Sequence, residues 1–285
     1  MLIVCDGGST KADWKILADN GSVISRTTHG FNPNYNAIEA VEALLKREFG
    51  SLLASDQKGT LYYYGAGCSD EKRCNAVAAA LATFFRSFQI EVNTDMLGAA
   101  RATCGKNPGI ACILGTGSNS MLYDGCGQSD QVANLGFLLG DEGSGAQIGK
   151  RIIQSYFYRE MPQELVPLMQ TACPGGREEM LDKVYKSGGV PAAYLATFAS
   201  LFASQTDHPF IRNIFRENFL EFLKRHVLKY EKHQEMPVNF AGSIAFYHQE
   251  ILVEALLSLK LRPGQIVQKP IAGLFGYHLS FLSEQ

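Results

Sequence analysis

The sequence lacks the features that mark several large classes of protein. No stretch of apolar residues approaches the length that spans a bilayer, so a transmembrane protein is not expected. Lysine and arginine total 26 against 28 aspartates and glutamates, whereas a protein that holds nucleic acid by its phosphates is typically basic. The apolar run at residues 2–5 follows no basic stretch and is too short for a signal peptide. We therefore expect a cytoplasmic protein that binds neither membrane nor nucleic acid.

The seven cysteines lack any pattern typical of a disulfide or metal framework. Their number is odd, none are paired as Cys-x-x-Cys, and none stand at zinc-finger spacing from histidines. We expect reduced and mostly buried thiols. Hydrophobic residues make up 46% of the 285 residues and charged residues 19%, a mixture that fills a core and argues against disorder.

Apolar runs that end in glycine predict an alternation of strands and helices. Predicted strands lie at residues 1–5, 12–17, 23–28, 61–64, 90–93, 109–115, 120–124, 238–241 and 265–268. Predicted helices lie at residues 38–49, 71–88, from 96 to 104 and at 247–259, and the region 147–235 is mainly helical. Because the strand-glycine-strand unit recurs in the second half, we predict a duplicated fold.

The turn at residues 106–109 is the predicted domain boundary. It separates a domain of residues 1–108 from a domain of residues 109–285 that carries the helical region as an insertion. We expect the last ~13 residues to pack back on the first domain. The glycines at 273–276 are predicted to mark a strand-to-loop turn, like the other glycine clusters.

Two common nucleotide-binding motifs are absent. The segment 143–151 approaches a P-loop, but its first glycine is misplaced and the final Ser or Thr is replaced by Arg151. The segment 115–120 begins like a dinucleotide fingerprint but lacks the last glycine. Neither motif therefore predicts the function.

The first glycine loop directly follows the first predicted strand and reads Asp-Gly-Gly-Ser-Thr-Lys over residues 6–11. Backbone amides of such a turn can hold a phosphate, and Ser9, Thr10 and Lys11 can add donors. Asp6 can hold Mg²⁺ through water, because Mg²⁺ prefers oxygen ligands and keeps its waters. A plain hairpin with an exposed lysine explains this loop equally well.

A second loop, Gly-Thr-Gly-Ser-Asn at residues 115–119, repeats this chemistry after the strand at 109–115. Two such loops that face each other can grip a triphosphate, although a glycine hairpin is again the simpler interpretation. The segment 240–245 reads as a strand, a turn at Gly242 and Ser243, and a helix, where a purine can rest flat against glycine.

Three acidic residues stand at predicted helix starts. Asp95 follows shortly after the predicted strand at 90–93 and precedes a helix. Asp141 and Glu142 lie between the glycines at 140 and 143. Helix capping and favourable charge at a helix N-terminus explain each of them when it is taken alone.

Taken together, the five segments resemble the ATPase superfamily that contains sugar kinases, actin and the Hsp70 chaperones. Residues 94–95, 114–119 and 140–144 most closely resemble the N-acetylglucosamine kinase family, in the broader family shared with activator ATPases of the benzoyl-CoA reductase type. The match spans essentially the whole chain. It implies an α/β fold of two ribonuclease-H-like ATPase domains with a nucleotide cleft between them. It also implies ATP and Mg²⁺ as cofactors and a small sugar as substrate.

The resemblance implies a role for each matching residue. Asp95 matches the catalytic base, and Asp6 is the implied metal contact. The implied ATP-binding residues are Gly8, Ser9, Thr10, Lys11, Thr116, Gly117, Gly242 and Ser243. The implied sugar-binding residues are Asn34, Gly65, Ser118, Asn119, Gly136 and Asp141. The chain departs from the family where a Gly-Trp-Gly segment becomes Asn134-Leu135-Gly136 and where a tryptophan of some relatives becomes Asn36, so the exact sugar is not implied.

The leading hypothesis is therefore the ATP-dependent phosphorylation of an amino sugar, N-acetylglucosamine first among them. One alternative is an activator ATPase that couples hydrolysis to electron transfer through an iron–sulfur cluster shared by two subunits, for which Cys104, Cys112 and Cys126 are the candidate ligands. Another is a non-catalytic sugar sensor or an actin-like polymer. The helical and apolar second half leads us to expect a homodimer.

Overall fold

The chain folds into two units. The computed structural model describes residues 1–8, 11–31, 39–50, 57–186 and 190–282. The first unit comprises Met1–Lys106 and Lys269–Gln285, and the second comprises Asn107–Gln268. The first unit thus ends two residues before the boundary expected from the sequence, and the chain returns to it from Lys269 onward. Within the described ranges, no helix combines the length and the apolar character that crossing a membrane requires.

Strands and helices alternate through both units. The strands are β1 (Leu2–Gly7), β2 (Lys11–Leu17), β3 (Val23–His29), β4 (Gly59–Gly65), β5 (Phe88–Thr94), β6 (Gly109–Leu114), β7 (Ser118–Tyr123), β8 (Gln128–Asp130), β9 (Pro237–Ala241) and β10 (Arg262–Val267). The helices are α1 (Glu39–Phe49), α2 (Glu71–Phe84), α3 (Asp95–Cys104), α4 (Gly136–Leu139), α5 (Gly145–Phe157), α6 (Val166–Ala172), α7 (Gly176–Tyr185), α8 (Pro191–Leu201), α9 (Pro209–Arg225), α10 (Ser243–Tyr247), α11 (Gln249–Ser258) and α12 (Ile271–Leu282).

The two units have sheets of the same topology. The first sheet has the strand order β3-β2-β1-β4-β5, in which β1, β2 and β3 are antiparallel while β4 and β5 run parallel to β1. The second has the order β10-β9-β6-β7-β8, with β6, β7 and β8 antiparallel and β9 and β10 parallel to β6. The predicted α/β fold with a duplicated domain is confirmed, and the nucleotide cleft stays a prediction.

The first sheet is covered on both faces. Ile3 and Cys5 of β1 point into one core with residues of α1 and α2, whereas Leu2 and Val4 point into another with residues of α3 and α12. A strand that is buried on both faces reads as a continuous apolar run, which is why the first five residues predict it correctly.

The second unit is built around one large core. Residues of β6 and β9 pack there against α5, α8, α9 and α11. Helix α9 lies within the region that was predicted to be mainly helical, and its Phe215, Phe219 and Phe222 are fully buried. The helical region is thus a layer that covers this sheet, and it provides side chains that contact the site described below.

Some local predictions differ from the structure. The helix expected at residues 71–88 ends at Phe84, and the one expected at 247–259 is divided at His248 into α10 and α11. Gly273 and Gly276 do not form a turn, because both lie inside α12. A β-carbon on Gly273 would overlap the carbonyl oxygen of Ala102 on α3. This glycine therefore allows two helices to approach closely. Glycine serves this purpose as well as that of a turn, and the sequence pattern does not distinguish the two.

The two glycines of α12 should respond in opposite ways to alanine. Gly276→Ala meets no atom of the described residues within 4 Å, so it should stabilise the protein by about 0.5–1 kcal/mol through helix propensity. Gly273→Ala should destabilise it by about 1–3 kcal/mol, because α12 must move away from α3. Urea denaturation of the two variants checks this, and equal effects would contradict the close approach of α3 and α12.

Candidate functional site

Parallel pairing brings three strand ends to one edge of the first sheet. Gly7 of β1 pairs with Gly65 of β4, and Gly65 pairs with Thr94 of β5. Asp6 and Asp95 therefore lie at the same edge, where ligands bind in open α/β sheets. The backbone N–H of Ala66 donates to the carbonyl of Gly7 at 2.7 Å, which joins the loops after β1 and β4.

Asp95 is not the cap of its helix. The cap of α3 is Thr94, whose hydroxyl accepts a hydrogen bond from the backbone N–H of Leu97 at 3.0 Å. Burial raises the pKa of Asp95 to about 6, while hydrogen bonds from its own backbone N–H and that of Met96 act in the opposite direction. A carboxylate that titrates close to neutral pH suits the acceptance of a proton.

Asp6 lies in a cluster of carboxylates. Asp6 pairs with Asp13 across β1 and β2, so the two side chains share one face of the sheet. Burial raises the pKa of Asp6 to about 7, and the charges of Asp95 and Asp13 add to that effect. Lys269 opposes it, and its ammonium forms an ion pair with Asp13 at 2.9 Å.

This cluster suits a hydrated divalent cation. Three carboxylates face one ammonium, so a cation would relieve their repulsion. Among the residues that the structure describes, no group of three histidine, cysteine or carboxylate side chains is arranged to hold a metal directly. The arrangement therefore fits Mg²⁺ that keeps its waters and is held through them by Asp6.

In the second unit, the loop after β6 packs against the start of α5. The first two residues of α5 donate their N–H groups to the carbonyls of Gly115 and Thr116, at 2.8 Å and 3.1 Å. The cap of α5 is Ser144, whose hydroxyl accepts from the N–H of Gln147 at 3.2 Å. Neither of the preceding acidic residues is thus needed as a cap, and the Thr116 side chain remains exposed.

Asp141 is buried in a strained conformation next to this loop. It is 8% exposed, and its backbone is left-handed with φ of 60°. Its carboxylate accepts from the N–H of Ser118 at 3.2 Å and from the Asn134 amide. Burial raises its pKa, and these hydrogen bonds partly offset the rise. Gly117 lies against the same carboxylate, and a β-carbon there would stand 3.1 Å from Oδ2.

Helix α9 supports the turn that carries Asp141. The side-chain oxygen of the fully buried Asn218 accepts the N–H of Gly143 at 2.8 Å. Glu142 is buried as well, with Arg225 at 3.3 Å and His226 at 3.7 Å from its carboxylate. No residue of α9 was predicted to belong to the site, because a helical pattern does not show which side chains reach another segment.

Three other predicted sugar contacts lie in the same unit as Asp141. Ser118 is 4% exposed, and its hydroxyl has no hydrogen-bond partner among the described residues, so a ligand hydroxyl would satisfy it. The amide oxygen of Asn119 accepts from the side chain of Gln131 at 3.1 Å. Gly136 has φ of 69°, and its N–H donates to the Asn134 side chain at 2.6 Å.

The predicted adenosine loop lies at the same edge of the second sheet as Gly115. Gly242 follows β9 with φ of 120°, and a β-carbon there would overlap the carbonyl oxygen of Leu114. Its N–H donates to the carbonyl of Val267 at 3.0 Å, and Ser243 begins α10 with an exposed side chain. Only glycine fits this position. Because glycine has no side chain, a flat group such as a purine can approach the backbone there.

The remaining predicted site residues divide into two groups. Gly8 is half-buried after β1, and Lys11 is exposed at the start of β2. Ser9, Thr10 and Asn34 lie outside the described residues, so their roles stay predictions.

Comparison with known proteins places this arrangement in a family. Residues 5–161 match the model of the BadF/BadG/BcrA/BcrD ATPase family. A solved structure from Porphyromonas gingivalis, described as a candidate N-acetylglucosamine kinase, is 35% identical, has a TM-score of 0.89 and matches 98% of this chain and 99% of that one.

Two curated proteins match over a shorter range. An N-acetyl-D-glucosamine kinase of Dictyostelium discoideum is 27% identical over 170 residues, which is 54% of this chain and 53% of the relative. A glucosamine kinase of Vibrio cholerae is 27% identical over 156 residues, 52% of each chain. This chain thus matches about half the length of these curated relatives. Because the family model matches more than half of the chain and the bacterial structure nearly all of it, this chain belongs to the BadF/BadG/BcrA/BcrD ATPase family.

Proposed function

We propose that the protein transfers the γ-phosphoryl group of ATP to a hydroxyl of an amino sugar, with N-acetylglucosamine as the acceptor. Asp95 carries the proposal, because its pKa is raised to about 6 and Thr94 takes the capping role that would otherwise explain it. The names of the relatives, two of which are amino-sugar kinases, support the class of acceptor.

In the first unit, Asp95 accepts the proton of the attacking hydroxyl as the oxygen approaches phosphorus. Asp6 would hold Mg²⁺ through water, and the ion would supply positive charge to neutralise the phosphates. The phosphates of ATP lie against the loop after β1. The residues proposed to contact them there are Gly8, Ser9, Thr10 and Lys11.

In the second unit, Asp141 accepts hydrogen bonds from sugar hydroxyls, and the unpartnered hydroxyl of Ser118 joins it. The further residues proposed to contact the sugar are Asn119 and Gly136 there and Asn34 and Gly65 in the first unit. The residues proposed to contact ATP in the second unit are Thr116, Gly117, Gly242 and Ser243.

The rate acceleration in this mechanism comes mainly from the positioning of the two substrates and from stabilisation of charge in the transition state. Phosphoryl transfer leaves little covalent work to the protein, so donors and a metal ion that are already in place stabilise the transition state. Asp141 is held rigidly by Ser118 and Asn134, which suits a residue that must orient one hydroxyl for attack.

The cysteines favour the kinase over the electron-transfer activator. An iron–sulfur cluster shared by two subunits needs thiols that are exposed together. Cys112 is 1% exposed in the core of the second unit, and Cys104 is half-buried. Of the three candidate ligands, only Cys126 is exposed.

The proposal also includes a cytoplasmic location and a homodimer. The cytoplasmic location rests on the cysteines, which we expect to be reduced thiols, and the homodimer rests on the helical, apolar second half of the chain. Sedimentation equilibrium with and without Mg-ATP measures the number of subunits, and growth of large species with ATP would favour the polymer hypothesis instead.

Replacement of the base should abolish turnover and leave the fold intact. Asp95→Asn keeps size and polarity but cannot take up a proton, so kcat should fall by about 10²–10⁴. Melting should change little, since Thr94 still caps α3. The matched control is Asp70→Asn, because Asp70 does cap its helix, accepting from the N–H of Arg73 at 2.9 Å, and asparagine caps as well as aspartate. Sugar-dependent ADP release is measured for both variants with a panel of amino sugars and hexoses.

The pH profile gives an independent check on the same residue. With saturating sugar and Mg-ATP, the bound cation should keep Asp6 ionised, so the profile reports Asp95. The kcat of the unmodified enzyme should level off above about pH 7 and fall about tenfold per pH unit well below pH 6, as Asp95 becomes protonated. The residual activity of Asp95→Asn should lack this decline. A stable Asp95→Asn protein with near-normal turnover would contradict the assignment of the base.

The support of the Asp141 turn by α9 predicts an effect on sugar binding. Asn218→Ala leaves the buried N–H of Gly143 without its acceptor, which should lower stability by about 1–3 kcal/mol and loosen the turn. The sugar KM should then rise more than the ATP KM. Asn213→Ala is the matched control, since Asn213 is exposed on the same helix and its loss should change stability by at most about 0.5 kcal/mol. Equal effects of the two variants on sugar KM would contradict a supporting role for α9.

A further inference from the structure

A cavity of about 380 Å³ lies at the C-terminal end of α5, within the second unit. Its volume falls in the range of small-molecule sites, which is about 300–1,000 Å³. The residues that line it are Tyr156, Phe157, Arg159, Met161, Gln163 and Val166. Four apolar or aromatic side chains thus surround one cation and one amide.

The cavity is separate from the candidate sugar site. Helix α5 begins next to the Asp141 turn and ends at Phe157, and a helix of this length spans about 20 Å. None of the residues that line the cavity belongs to the predicted sugar or ATP contacts. A ligand in this cavity would therefore be neither the sugar nor ATP in the proposed reaction.

The guanidinium of Arg159 has no partner among the described residues. Of the arginines in the described part of the chain, Arg159 alone has a guanidinium that forms neither an ion pair nor a hydrogen bond. The others contact carboxylates, hydroxyls or backbone carbonyls. An unpaired guanidinium beside aromatic side chains is a suitable contact for a carboxylate on an apolar body.

The backbone of Arg159 is held in one conformation by the end of α5. Its N–H donates to the carbonyl of Tyr156 at 3.1 Å, and the next two N–H groups both donate to the carbonyl of Ser155, at 2.8 Å and 3.1 Å. Its φ of 62° is left-handed, a conformation that glycine usually supplies after a helix. The base of the Arg159 side chain is thus fixed at the rim of the cavity.

We propose that this cavity is a binding site for a small organic carboxylate with an aromatic or apolar body. Tyr156 and Phe157, whose rings meet edge to face with centroids 4.9 Å apart, contact the body together with Met161 and Val166. Arg159 pairs with the carboxylate, and Gln163 donates a further hydrogen bond. One cation and one amide match a single negative charge better than the two charges of a phosphate monoester. The proposal does not depend on kinase activity.

The left-handed backbone provides a variant that removes the cation without damage to the fold. Arg159→Gly should fold and be slightly more stable, because glycine adopts this conformation without strain. Lys260→Gly is the matched control: Lys260 also has a left-handed φ, of 58°, is exposed and lies outside the cavity. Each variant loses one positive charge at a residue whose backbone is left-handed, so the two variants differ in where that charge is lost.

The probe is 3-phenylpropanoate, followed by NMR of protein labelled with ¹³C at the methionine methyl groups. We expect the Met161 methyl signal to shift with millimolar affinity in the unmodified protein and in Lys260→Gly. Arg159→Gly should bind about tenfold more weakly, because a charge-assisted pair is lost. The neutral analogue 3-phenylpropan-1-ol should bind to all three proteins as weakly as the acid binds to Arg159→Gly. An unshifted Met161 signal in the unmodified protein, equal affinity in Arg159→Gly, or equal binding of acid and alcohol would each overturn the proposal.

Discussion

The parallel pairing of strands is the constraint on which the rest of this structure depends. In the first sheet it aligns Gly7, Gly65 and Thr94, and in the second it aligns the ends of β6, β9 and β10. Each sheet therefore presents its loops at one edge, where a ligand can reach backbone amides and acidic side chains together. A shift of one residue in β1 would turn Asp6 to the opposite face of the sheet and away from Asp13.

The carboxylates around Asp6 and the left-handed backbone of Asp141 are both unfavourable by themselves, and contacts with neighbouring segments stabilise them. Lys269 offsets part of the repulsion among the carboxylates around Asp6. The left-handed backbone of Asp141 costs on the order of 1–3 kcal/mol, a strain that survives only where the surroundings determine it. Here two hydrogen bonds determine it: the Ser118 N–H donates to the Asp141 carboxylate, and the Gly143 N–H donates to the Asn218 side chain. The helical layer of the second unit thus covers the sheet and also supports the candidate site.

The sequence predicts the parts of this arrangement that are local. Apolar runs buried on both faces reveal the central strands, and the glycines after them reveal the loops at the sheet edges. The contacts between Lys269 and Asp13 and between Asn218 and Gly143 join residues 256 and 75 positions apart, and no local pattern encodes such pairs. Gly273 was wrongly predicted as a turn, because glycine marks both a turn and a close approach of helices.

The central claim is that ATP is used to phosphorylate a sugar rather than to drive hydrolysis or electron transfer. ³¹P NMR of a reaction with Mg-ATP and N-acetylglucosamine measures ADP, inorganic phosphate and sugar phosphate in one sample. The account predicts one sugar phosphate for each ADP and almost no ADP when the sugar is left out. Release of ADP and inorganic phosphate in equal amounts, with no sugar phosphate from any amino sugar tested, would contradict it and favour the hydrolysing activator.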